Sequence, residues 1–108
     1  MSSIHHTIAR DRWQKLSLSN QLGNIGSEIT RMRLAREGKN AQRLAGAGER
    51  VLELLDLSLT SDKTAPQLRE FARLREVLAD IIIESGYYTV PLQMLEKYCL
   101  DFALVARK

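Results

Sequence analysis

Cysteine is almost missing from this chain of 108 residues: Cys99 alone excludes an internal disulfide and any cysteine-built zinc site. A reducing, cytoplasmic setting is the expectation that follows. Two prolines and six glycines are too few for a turn-rich β fold and favour long helices instead. The histidines number only two, His5 and His6. As sequence neighbours they point different ways and have no carboxylate cluster beside them, so no metal site is expected. No apolar run reaches membrane length, and residues 1–12 lack one of signal-peptide length; neither a membrane span nor a leader is expected. Catalytic sets are missing as well. No Glu-x-x-His pair sits on a helix, the late Arg–His motif of helical nucleases is absent, and no Ser/His/Asp or Cys/His set can be assembled. The chain is read as a non-enzyme with no cofactor and no evident small-molecule substrate.

What remains is helical pattern and charge. An apolar fraction of 44% is ordinary for a globular domain. The strongest stretch covers residues 41–59, where Leu44, Ala45, Gly48, Val51, Leu52, Leu55 and Leu59 recur at steps of three and four. Leu54 and Leu57 widen that stripe, as suits an inner helix with neighbours on more than one side. A preceding helix is expected over Leu18–Glu37, with Ser17 as N-cap and Gly38 as its stop. Leu18, Leu22, Ile25, Ile29 and Met32 form its seam. Gly23 and Gly26 interrupt it, each costing roughly 1 kcal/mol relative to alanine. QLGNIGSE lacks the lysine and spacing of a phosphate loop, so close helix approach is the better account of these glycines. Folding the two helices as an antiparallel hairpin sets Gly26 against the Val51 region and Gly48 against Ile29.

A third helix should begin around Pro66, with Leu68, Phe71, Leu74, Leu78, Ile81 and Ile82 inward, and end near Ser85 and Gly86. The next turn is Tyr87-Tyr88-Thr89. Pro91 then opens a fourth helix with Leu92, Leu95, Cys99, Phe102 and Ala106 inward. Together these predict an all-α, up-down-up-down antiparallel four-helix bundle at 13–108, preceded by a flexible arm at 1–12.

The charges suggest two clusters. In the third helix, Arg69, Arg73 and Arg75 precede Glu76, Asp80 and Glu84, against the preference of the helix dipole. An interhelical network is expected to compensate, with Glu53 and Asp56 beside Arg69 and Arg73, and Asp101 opposite Arg75. The net charge of +3 is mild, but eleven arginines outnumber five lysines, a preference suited to carboxylate or phosphate contact. Arg31, Arg33, Arg36, Lys39 and Arg43 gather at the turn between the first two helices. Either they answer Glu76, Asp80 and Glu84 within the protein, leaving a solvated, partly neutralised face, or they form a nucleic-acid-binding rim. In the second case Tyr87 and Tyr88 would be its stacking platforms.

WQKLSLSNQLGNIGSE, RVLELLDLSL, LREVLADI and FALVARK together resemble a small bacterial four-helix-bundle family without settled function, over residues 13–108. More distantly, a second helix reading RLAGAGERVLELLDL is similar to that of accessory variability determinant proteins of diversity-generating retroelements. That similarity implies a bundle that assembles into basic, ring-shaped oligomers holding RNA and a reverse transcriptase. The leading expectation is a non-catalytic accessory bundle, homo-oligomeric, that binds RNA or a nucleic-acid-handling protein. The alternative is a protein-interaction or structural module, antitoxin-like or a scaffold, without nucleic acid.

Overall fold

The computed structural model describes residues 10–60, 62–84 and 90–107, and every regular element among them is a helix. A short α1 covers residues 10–15. Four long helices follow: α2 Leu18–Glu37, α3 Ala41–Ser58, α4 Ala65–Ile83 and α5 Leu92–Arg107. Residues 10–12, expected in a flexible arm, are therefore helical, whereas His5 and His6 lie outside the described residues.

Local chemistry accounts for the boundaries. Ser17 caps α2 by accepting from the Asn20 amide at 3.1 Å. Thr64 and Gln67 form a reciprocal capping box at the start of α4, where Pro66 occupies the first turn. The α2 stop is subtler than a glycine in the left-handed region. Gly38 has φ −82°, and it is Lys39 that adopts φ 55°. The Asn40 amide then donates to the Ala35 carbonyl at 2.9 Å and the Lys39 amide to Arg36 at 3.1 Å. This is the double bond of a Schellman turn, closed on a lysine. Asn40 at once caps α3 through the Arg43 amide at 3.0 Å.

Helix α2 packs on both α5 and α3, and α3 packs on α4. Contacts run in opposite chain directions in each pair. Glu28 meets Arg50 while Trp13, just before α2, meets Ser58; Gly48 meets Ile82 while Asp56 meets Arg75. Helices α4 and α5 meet more loosely, through the Tyr98 hydroxyl, which donates to Glu70.

The core contains Leu22, Ile25, Ile29 and Met32 of α2, Phe71, Leu74, Leu78 and Ile81 of α4, and Leu92, Leu95 and Cys99 of α5, all as expected. Val77 and Ala103 join them. In α3 the inward line is Ala47, Gly48, Val51, Leu55 and Ser58. Ala45, expected inward, is exposed, and Leu44, Leu52, Leu54, Leu57 and Leu59 are only half-buried. Because α3 has α2 on one side and α4 on the other, its many leucines flank the buried line and do not define it. The burial of Ala106 lies outside what is described. Trp13 seals one end of the core, with its indole Nε1 donating to Ser58 Oγ at 2.8 Å and that hydroxyl donating to the Leu54 carbonyl at 2.7 Å.

Two sequence expectations change partners. A Cβ on Gly26 would stand 3.3 Å from Cys99 Cβ, and one on Gly48 would stand 3.3 Å from Ile82 Cδ1. Both glycines permit close approach, but to α5 and α4, not to α3 and α2 as the hairpin pairing suggested. Likewise Arg75 binds Asp56 of α3, and Asp101 is taken by Lys97 one turn away. The expected Arg75–Asp101 pair does not form because Arg75 lies on the face that α4 packs against α3.

Candidate nucleic-acid interface

The Schellman turn at Lys39 reverses the chain within three residues, so the last turns of α2 and the first turns of α3 stand side by side. A pocket of about 600 Å³ opens there, lined by Arg31, Leu34, Ala35, Gly38, Asn40, Arg43 and Arg50. Beneath the arginines lies Glu28, a buried carboxylate on the α3-facing side of α2. Arg31, one turn along α2, donates to one of its oxygens; Arg50 Nε donates to the other at 3.0 Å from α3. A buried carboxylate needs such partners, because an unpaired charge out of water is costly. The guanidinium groups themselves remain largely in solvent, with side chains 62% and 56% exposed. One negative charge thus anchors two positive ones. Arg43 is exposed and makes no ion pair among the described residues, so the lining carries a positive excess. The adjoining Arg36 and Lys39 are exposed at the same end.

Of the residues singled out in the sequence, Arg31 and Arg43 line this pocket, while Arg36 and Lys39 stand beside it. Arg33 does not join them. It turns to α5, where Glu96 accepts from its Nε, and Glu37 on its own helix accepts from Nη1 at 3.1 Å. Glu96 first, and Glu37 second, raise the Arg33 pKa further above its usual value. Burial works against the Glu96 carboxylate, but hydrogen bonds from Arg33 and Thr30 outweigh it and lower its pKa. Tyr87 and Tyr88 lie outside the described residues. The carboxylates that answer Arg31, Arg33 and Arg50 are Glu28, Glu37 and Glu96, which were not the ones weighed in the sequence.

Arg50 was missed by the sequence reading, although its signal was present. It lies seven residues after Arg43, two helical turns on, and so shares a face with it. Glu28 had a signal too: it sits between Ile25 and Ile29 in the apolar seam of α2, and a carboxylate there calls for cationic neighbours.

Among the described residues, no three His, Cys, Asp or Glu side chains converge on a metal-sized site. None of the described helices is long and apolar enough to cross a membrane. No family model, curated protein or solved structure matches the chain.

Proposed function

We propose that this protein is a non-catalytic accessory bundle whose α2–α3 end binds RNA through its phosphates. The observation that carries the reading is the convergence of Arg31, Arg43 and Arg50 on one pocket above a single buried carboxylate. Arginine forks suit phosphate oxygens, and the N-terminus of α3 adds its partial positive charge at the same place. Arg36 and Lys39 extend the positive surface along a backbone, and Tyr87 and Tyr88 of the α4–α5 connection are assigned to stacking on bases. The four long helices close as an up-down-up-down bundle in this reading, which the antiparallel contacts of α2 with α3, α3 with α4 and α2 with α5 support. The similarity to accessory variability determinant proteins adds a reverse transcriptase as the nucleic-acid-handling partner.

Filter binding of single-stranded RNA over a salt series tests it. With Glu28 offsetting one of the three arginine charges, a net two phosphate contacts give a slope of log affinity against log salt of roughly −1.4. Arg43→Glu is the decisive variant, since its side chain makes no ion pair among the described residues whose loss would unsettle the fold. It should abolish retention at moderate salt while moving the melting temperature little. Absence of binding by the parent at low salt, or equal binding by Arg43→Glu, refutes the proposal.

A further inference from the structure

The α2–α3 pocket has the shape of a recess. Arg31, Leu34 and Ala35 stand on its α2 side and Arg43 and Arg50 on its α3 side, while Gly38 and Asn40 close one end at the chain reversal. Its volume, about 600 Å³, lies within the range of compact-ligand sites, roughly 300 to 1,000 Å³. A phosphodiester in such a recess must lead the strand out on both sides. A terminal phosphate enters on a single ester link and presents three acceptor oxygens. We propose that the pocket takes a phosphomonoester at the end of an RNA strand in preference to a phosphodiester within it. This inference rests on the reading of the pocket as an RNA site and names the part of the RNA that fills it.

Charge points the same way. The lining holds three guanidinium groups and no carboxylate, and Glu28 beneath them offsets one charge, so three minus one leaves two positive. A phosphodiester brings one negative charge, whereas a phosphomonoester brings about 1.5 to 2 at pH 7. Donors are free to meet it. Arg31 gives Glu28 only Nη1 and Arg50 only Nε, so each keeps the rest of its fork. Arg43 makes no ion pair among the described residues. Arg36 and Lys39, outside the recess, are left for the phosphates that follow along the strand.

The cations are also held in place before a ligand arrives. Glu28 fixes Arg31 and Arg50 from below, and Arg50 lies back along α3, with Nη1 3.5 Å from where a Cβ on Gly46 would stand. Gly46 shares a helix face with Arg43 and Arg50 and lies between them, so the Arg50 fork is directed towards Arg43. Groups ordered in advance lose less freedom on binding. Leu34, 55% exposed in the wall, supplies apolar contact for the terminal ribose and base. One further phosphate charge shared among these guanidinium groups supports a preference of about tenfold or more.

Filter binding of the full chain to internally labelled single-stranded RNAs of one sequence tests this. One strand has hydroxyls at both ends, one a 5′-phosphate and one a 3′-phosphate; a fourth, hydroxyl-ended and a nucleotide longer, matches their phosphate count. At least one phosphate-ended strand should bind about tenfold or more tightly than either hydroxyl-ended strand at the same salt. Arg43→Gln should cut that advantage below about threefold without lowering the melting temperature. Arg36→Gln, beside the recess, should weaken all strands alike and preserve the ratio. Adenosine monophosphate should compete far less well than a phosphate-ended strand; equal competition would make a free nucleotide the ligand and overturn the assignment to an RNA end. Equal binding of phosphate-ended and hydroxyl-ended strands overturns the inference and leaves the RNA reading standing, as does a ratio that Arg36→Gln lowers as much as Arg43→Gln. Failure of every strand to bind at low salt overturns both.

Discussion

Glu28→Gln separates a structural from a functional account of the basic pocket, because it should move stability and RNA affinity in opposite directions. The carboxylate is buried and accepts from Arg31 and Arg50 together. Gln keeps the volume and one acceptor oxygen but removes the charge. Breaking a fully buried pair costs about 3 to 5 kcal/mol, chiefly from the charge stranded out of water. Here the stranded partners are two guanidinium groups more than half exposed, which can turn to solvent. The loss should therefore be nearer 1 to 2 kcal/mol, roughly 4 to 16 °C in melting temperature for a domain of this size. The same change releases one positive charge into the pocket, so RNA should bind more tightly and the salt slope should steepen by roughly 0.7. Thermal melts beside filter binding at several salt concentrations measure both. A variant that is destabilised and binds RNA no better than the parent would refute Glu28 as the charge that restrains the pocket. An unchanged melting temperature would refute it as the anchor of the two arginines.

Three further outcomes test the fold. Lys39→Gly should stabilise by about 0.5 to 1 kcal/mol, because it relieves a left-handed lysine in the Schellman turn, and should flatten the RNA salt slope; a lower melting temperature would contradict the turn geometry. Gly26→Leu should destabilise by roughly 1 to 3 kcal/mol through overpacking against Cys99, in contrast to Gly23→Leu, as a side-by-side melt would reveal. Burial pushes the Cys99 thiol up to about 12 from an ordinary 9.0. Its protonated form is therefore favoured by the fold: that contribution is fully present below pH 9 and is lost as pH rises from about 9 towards 12. Alkylation of Cys99 at mildly alkaline pH should follow unfolding in denaturant, and rapid labelling of the native chain would show the thiol to be accessible.

The sequence by itself determined the helices and most of their inward faces. Ser17, Pro66 and the 4-3-4-3 seam from Leu18 to Met32 are local signals, each readable from a few neighbouring residues, because caps and periodicity depend on backbone chemistry within one or two turns. That Gly26 and Gly48 mark close contacts was legible as well, whereas Gly23, read the same way, has nothing within 4 Å of where its Cβ would stand. Which helices they contact was decided only by the tertiary structure. Gly26 faces Cys99 and Gly48 faces Ile82 because the rotation of each helix about its axis is set by all its neighbours together. The same reason moved Asp56 to Arg75, turned Arg33 away from Arg31 towards Glu96, and brought Arg50 into the pocket. Arg31 and Arg33 are two residues apart, close in the chain but about 200° apart around a helix, so a cluster in sequence divides between two surfaces. Burial of Glu28 required the packing of α2 on α3, and that single carboxylate determines which arginines stand together.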